Sequence, residues 1–219
     1  LSSSYPSEQE YAIFNPYDSD FVDERKLTRI DFGGGIVLFE QDPEDNLSTI
    51  TVKSKDGSII RKFQFYISRY NAYTELTKLD SIAVTAGRDP ERRLYSFLYD
   101  KPDNVQPVSS LAMDHWGYYN GQHELNNGTR LFIPYGRYYV NDDYYFHYGD
   151  SARECNEYHM KTGVLTDIFS PEGVRTNFSY EANRYGKVFS GAANYQKKVY
   201  LAGGLRVSMI RESDMHGGL

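Results

Sequence analysis

The sequence predicts an all-β fold, in which irregular stacked β-hairpins form a curved, mostly antiparallel sheet. Aromatic residues, which favour strands, make up 16% of the 219 residues. Short runs of Ile, Val, Phe and Tyr recur in pairs, separated by turns that contain Gly, Asp or Pro, and this pattern is typical of hairpins. Helix-forming residues cluster only in the short stretch 69–81, which lacks a clear 3.6-residue stripe, so we expect no long helix.

The outgoing strands of four hairpins begin with the same Leu-x-x-Ile spacing. These pairs are Leu27 and Ile30, Leu47 and Ile50, Leu79 and Ile82, and Leu165 and Ile168. A turn follows each pair, at 33–35, 56–57, 87–90 and 170–173, with residues that supply a positive φ or a preset φ. The uneven spacing of the four starts predicts a twisted sheet with insertions instead of a regular solenoid.

The returning strands carry aromatic residues two positions apart, so both members of a pair face the same side of the sheet. The pairs are Phe63 and Phe65, Phe97 and Tyr99, and Phe178 and Tyr180. A single hairpin cannot cover its own apolar face, but hairpins placed edge to edge form one continuous face. We expect that face to be the core.

The whole chain, residues 1–219, is predicted to be one hairpin-repeat domain with a Tyr-rich insertion at 101–163. The insertion is dense in Tyr, Asn, Asp and Gly, which indicates loops and one irregular hairpin. The last strand-like run and the absence of an initial Met suggest a piece of a longer protein.

Composition excludes several classes of function. A net charge of −6 and a pI near 5.4 argue against a nucleic-acid partner, because binding phosphates needs a concentrated excess of Lys and Arg. No apolar run approaches the ~20 residues of a spanning helix, so we expect no membrane span in this segment. Cys155 is the only cysteine, and no acidic run has EF-hand spacing, so we predict no metal and no other cofactor.

The most chemically suggestive cluster is Asp114-His115-Trp116, followed by His123 and Glu124. A histidine and a carboxylate in a Gly-rich loop could act as acid and base or bind a metal. In the alternative, which the lack of a known ligand spacing favours, Trp116 fills a core and the two polar residues bond the loop backbone. No Gly-x-Ser-x-Gly motif is present, and we predict no catalytic residue.

Aromatic side chains of the insertion could instead form a platform for sugar rings or for a partner protein. The candidates are Trp116, Tyr118, Tyr119, Tyr138, Tyr139, Tyr144 and Tyr145. Together with the preceding cluster, they give five candidate ligand-binding residues, which are Asp114, His115, Trp116, Tyr118 and Tyr119. A glycoside hydrolase would need two carboxylates that face each other at a defined separation, and sequence does not give that distance.

The segment 164–186 resembles the YD-repeat unit of the Rhs family. It has a Leu-Thr start, a Pro-Glu-Gly turn, a Thr-containing return and the run Tyr180-Glu181-Ala182-Asn183. The pair Tyr99-Asp100, the stretch DHWGYYNG at 114–121 and the closing GGLRV are similar to divergent Rhs-like envelope proteins of gut-type bacteria, so the resemblance covers about residues 26 to 210. It implies a sheet of hairpins that coils into a shell or forms part of a large surface protein.

From this resemblance we expect a non-catalytic scaffold segment of a secreted or cell-surface bacterial protein, which binds the rest of its polypeptide or another protein. The alternative is a carbohydrate-binding β-module that uses the aromatic residues of the insertion. Trp116, the only tryptophan, would report glycan binding by a blue shift of its emission.

Overall fold

The computed structural model describes residues 25–87, 89–122, 136–141, 144–148, 151–188 and 197–215, and for residues 89, 90, 136–141, 144–148, 151, 187, 188, 197 and 198 it describes the backbone alone. Nine strands form one antiparallel sheet whose order follows the chain. They are β1 (Arg29–Phe32), β2 (Gly35–Gln41), β3 (Leu47–Ser54), β4 (Ile59–Arg69), β5 (Thr77–Ala86), β6 (Asp89–Tyr99), β9 (Leu165–Phe169), β10 (Val174–Val188) and β11 (Lys197–Asp214). The predicted all-β fold is confirmed, and the sheet does not close on itself over the described strands.

The remaining elements lie between β6 and β9, inside the predicted insertion. The strands β7 (Gly136–Asn141) and β8 (Tyr144–Tyr148) form a separate two-stranded sheet with a register shift between Tyr139 and Asn141. The described residues of the insertion also form a single helical turn, α1 (Glu157–Met160), and 3₁₀ turns at Pro102–Asn104 and Ser151–Arg153. No helix in the described ranges combines the length and the apolar character needed to traverse a bilayer.

The turns predicted at 33–35, 56–57 and 170–173 lie at the β1–β2, β3–β4 and β9–β10 junctions, whereas the turn predicted at 87–90 is shorter, because Asp89 and Pro90 belong to β6. Gly57, in the turn between β3 and β4, has a φ of 85°, and Gly173, between β9 and β10, has a φ of 80°. A side chain at either position would be strained, because L residues rarely adopt this left-handed backbone. The local turn chemistry therefore determines the meander.

The register places one row of apolar side chains on the same side of the sheet. Phe39 is opposite Ile50, Ile50 is opposite Phe63, and Phe63 is opposite Val84. We call this side the apolar face, and its central residues are Val37, Phe39, Ile50, Val52, Phe63, Phe65, Ile82, Val84, Tyr95, Phe97, Ile168 and Phe178. The other side carries mostly polar residues, such as Thr51, Lys62 and Gln64.

Burial corrects the prediction that this face is the core. All twelve residues of the apolar face are only half-buried. The buried hydrophobic residues in the described part of the chain are four, Ala83, Ala112, Met160 and Ala182. The face is apolar as predicted, but no described element covers its central strands, because the sheet is a single layer there.

The insertion folds against one end of this sheet without interrupting it. The strands β6 and β9 pair directly, with Phe97 opposite Ile168, although 65 residues separate the end of one strand from the start of the other. The hydroxyl of Tyr70 donates to the carbonyl of Gly163 at 2.8 Å, and Asn71 Nδ2 donates to the carbonyl of Val105 at 2.9 Å. These bonds attach both ends of the insertion to the β4–β5 loop.

Candidate functional site

The five residues singled out by sequence lie on one tight loop at the start of the insertion. Met113 and Tyr119 form a β-bridge, and the backbone N–H of Asp114 donates to the carbonyl of Tyr118 at 2.8 Å. Gly117 turns the chain with a φ of 87°. The loop therefore brings all five residues into one small region of the surface.

Asp114 holds this loop together from within. Its side chain is fully buried, and Oδ1 accepts hydrogen bonds from the backbone N–H of Trp116 at 2.9 Å and of Tyr118 at 3.0 Å. The expectation that Asp114 bonds the loop backbone is confirmed.

Two residues that sequence reasoning missed attach the loop to the segment 151–155. Asn120 is 1% exposed, and its Nδ2 donates to the carbonyl of Ala152 at 2.7 Å. Arg153 Nη2 donates to the carbonyl of Asp114 at 3.0 Å. Both contacts join residues more than 30 positions apart, so no local sequence signal could have revealed them.

Cys155 lies beside this buried carboxylate. Burial, together with the neighbouring Asp114, raises the pKa of the Cys155 thiol to about 12. Because the thiolate is the nucleophilic form of cysteine, a thiol that stays protonated near neutral pH is a poor nucleophile. This environment therefore disfavours the reactive thiolate of Cys155.

Trp116 and Tyr118 point outward from the rigid loop. Their exposed fractions are 52% and 43%, so the expectation that Trp116 fills a core is wrong. Trp116 lies against β11, since a Cβ added at Gly203 would be 2.4 Å from Trp116 Cβ. At the next residue, a Cβ on Gly204 would be 3.1 Å from the Tyr118 hydroxyl oxygen. Two glycines of β11 therefore make room for the two aromatic side chains.

His115 and Tyr119 are half-buried on the same loop. The ring of Tyr119 meets the ring of His159 edge to face, with centroids 5.2 Å apart, and burial raises the pKa of the Tyr119 hydroxyl. Tyr119 also borders a mostly apolar cleft of about 250 Å³. Its walls are Leu76, Val105, Gln106, Pro107, Val108, Ser110, Ala112, Met113, Gly117, Tyr119 and Thr162.

Other predicted participants do not join this loop. His123 and Glu124 lie outside the described residues. Tyr138, Tyr139, Tyr144 and Tyr145 belong to the β7–β8 hairpin, but their side chains lie outside the described part of the structure. Within the residues whose placement is described, no three His, Cys, Asp or Glu side chains come close enough to hold a metal ion.

The geometry presents two exposed aromatic rings on a loop fixed by buried polar contacts. Oδ1 of its buried carboxylate accepts hydrogen bonds from two backbone N–H groups, and burial raises the pKa of the neighbouring Cys155 thiol. Comparison with family models, with curated proteins and with solved structures found no match.

Proposed function

We propose that this chain is a non-catalytic scaffold segment of a large Rhs-like bacterial protein, secreted or at the cell surface, which forms part of a shell or binds another protein. The observation that carries the proposal is the open nine-stranded meander with one apolar and one polar face. Such a sheet consists of repeated hairpins. It can be extended at both edges, since β1 and β11 each pair on one side over the described residues.

The insertion supports a scaffold role because it leaves the sheet continuous. Adding about 60 residues between β6 and β9 does not displace their pairing. The nine-stranded sheet, which would form the wall of a shell, and the insertion are therefore separable parts. In a wall of this kind, the polar face meets solvent and the apolar face meets whatever the wall encloses or binds.

An antibody raised against this chain tests the proposal in cells that produce the protein. We expect an immunoblot band far above 25.3 kDa, which disappears when intact cells are treated with proteinase K. A cytoplasmic protein, digested only after lysis, is the control. A protease-resistant band near the mass of the chain itself would overturn the proposal.

Trp116 and Tyr118 favour a second candidate function, a carbohydrate-binding module. Flat aromatic rings that are half exposed provide apolar surfaces on which sugar rings stack. The hydrogen bonds of Asp114 hold the loop in place before binding, which reduces the entropy lost on binding.

Affinity electrophoresis through gels that contain individual polysaccharides tests this second candidate. A glycan ligand should retard the wild-type chain, and Trp116→Ala and Tyr118→Ala should each abolish the retardation. Tyr73→Ala is the matched control, because Tyr73 is a more exposed aromatic residue, at 83%, on a different loop. Equal retardation of all four proteins, or of none, would exclude a sugar platform on this loop.

A further inference from the structure

We propose that a groove along β5, on the apolar face, binds a linear anionic amphiphile, which is an unbranched apolar chain that ends in a carboxylate. Two arginines lie at one end of this groove, Arg61 on β4 and Arg93 on β6, on either side of β5. The remainder of the groove is lined by aliphatic and aromatic side chains. A site that combines an apolar lining with a few polar groups orients a ligand that has the same two parts.

The strand register determines the shape of the groove. Residues directly opposite each other on neighbouring antiparallel strands point to the same side of the sheet. Two successive rows across β4, β5 and β6 each have an aliphatic residue between two longer ones, and the rows are Phe63, Val84 and Arg93, then Phe65, Ile82 and Tyr95. The shorter side chains of β5 therefore form the floor, which runs about 14 Å from Ala86 to Ile82 at ~3.4 Å per residue.

The charge at the arginine end is not neutralised within the described residues. The side chains of Arg61 and Arg93 are exposed, and neither guanidinium forms an ion pair or a hydrogen bond with a described residue. They border a cleft of about 230 Å³ at the end of the groove near Ala86, and Glu91 is the only acidic residue in its described lining. Two cations against one anion leave an excess positive charge. Guanidinium groups bind carboxylates through paired N–H donors, so this end selects an anionic group.

The body of the groove favours a hydrocarbon chain over a peptide. The main-chain N–H and C=O groups of β5 are used in its ladders with β4 and β6. Beyond the arginines, the hydroxyl of Tyr95 is the only polar side-chain group in the two rows. A peptide main chain laid along this floor would lose its hydrogen bonds to water without gaining others, which costs free energy. A hydrocarbon chain has no such groups and gains free energy on leaving water.

The partial exposure of the lining suits a ligand of this size. The five apolar and aromatic residues of the two rows are half-buried, and no described element lies over them. A single chain covers only a strip along one strand, so it does not need the ~800 Å² that each partner of a stable protein complex buries. The inference concerns a surface of the 219-residue chain and does not rest on the proposed scaffold function.

Isothermal titration calorimetry of the full 219-residue chain with sodium decanoate tests the proposal. We expect saturable binding of one decanoate per chain, with a dissociation constant of about 1 mM or lower. Hexanoate has the same carboxylate on a shorter chain and should bind about tenfold more weakly or worse, because each buried CH₂ group contributes to binding. Decyltrimethylammonium has the same chain with a cationic end, which the arginines repel, and should show no saturable binding.

Variants of the two arginines test the charged end of the groove. Arg61→Gln and Arg93→Gln should each weaken decanoate binding by about fivefold, since each removes a charged hydrogen-bond donor. Lys62→Gln is the matched control and should bind as the wild type does, because it removes the same charge from the next residue of β4, on the polar face. Circular dichroism shows whether each variant keeps its strands. If an arginine variant does not fold, the comparison of decanoate with decyltrimethylammonium on the wild-type chain still tests the charge.

The absence of saturable decanoate binding to the wild-type chain would overturn the proposal. Equal binding of decanoate and decyltrimethylammonium would also overturn it, because the hydrocarbon would then adsorb without help from the arginines. Equal binding of decanoate and hexanoate would indicate a site for the carboxylate alone. Decanoate binding that both folded arginine variants retain in full would place the ligand elsewhere on the chain, which contradicts the proposal.

Discussion

At the scale of single residues, Asp114 determines the shape of the candidate loop. Asp114→Ala removes the acceptor of two backbone N–H groups, so we expect the free energy of unfolding to fall by about 2 kcal/mol or more. Asp114→Asn keeps an oxygen acceptor and should lose clearly less. Urea denaturation followed by Trp116 emission measures both variants, and equal losses would show that the charge matters more than the acceptor.

Gly203 is the residue against which Trp116 packs. Gly203→Ala puts a Cβ 2.4 Å from Trp116 Cβ, so the ring must move, and we expect a shifted emission and a loss of about 1–3 kcal/mol in stability. Gly33→Ala is the control, because a Cβ there meets nothing within 4 Å. The same emission from both variants would mean that Trp116 does not pack against Gly203.

The candidate loop was predictable only in part. Asp114 could be assigned to the loop backbone because such side chains commonly bond N–H groups a few residues ahead in the chain. The exposure of Trp116 could not be predicted, since it depends on Gly203, 87 positions later. Asn120 and Arg153 likewise act through distant carbonyls.

At the scale of elements, the turn between β3 and β4 has its own pH dependence. Ser54 and Ser58 donate hydrogen bonds to the carboxylate of Asp56, which lower its pKa to about 2. A carboxyl with a lowered folded-state pKa contributes stability above about pH 4, and the contribution is lost as the pH falls toward 2. The stability difference between the wild type and Asp56→Asn should therefore shrink over this interval. A difference that stays constant from pH 5 to pH 2 would contradict the prediction.

The hairpins were predictable because their signals are local. Turn residues such as Gly57 and Gly173 adopt the left-handed backbone that their sequence context requires, and the aromatic pairs alternate as a strand demands. The bulges, such as the one between Tyr66 and Ile67 opposite β5, had no comparable signal. Bulges respond to the twist of neighbouring strands, which only the assembled sheet defines.

At the scale of the whole molecule, the sequence identified the apolar face but not whether another layer packs on it. The alternation that marks Phe63 and Phe65 as apolar-face residues is a property of one strand. Whether another layer packs on that face is a property of the assembly, and this is why the expected core is half-exposed in the described chain.

The continuity of the sheet depends on its shortest inner strand, β9, which joins six strands on one side to two on the other. Asp167 on β9 is 5% exposed and accepts hydrogen bonds at 2.8 Å from Arg175 Nε and Asn177 Nδ2 on β10. Burial acts to raise the pKa of Asp167, but these hydrogen bonds together hold it below its ordinary value. Its contribution to stability is therefore present above about pH 4 and is lost on further acidification.

Replacing Asp167 should weaken the sheet at this junction first. In Asp167→Ala we expect faster amide exchange in residues 165–169 and 174–178, while residues 47–54 on the far side of the sheet exchange as in the wild type. Asp167→Asn keeps an acceptor but lacks the charge, so its exchange at pH 7 should lie between that of the wild type and that of Asp167→Ala, and it should no longer accelerate through this group below pH 4. Uniformly faster exchange along all strands would instead mean that the nine strands open as one cooperative unit and that β9 is not the weak point.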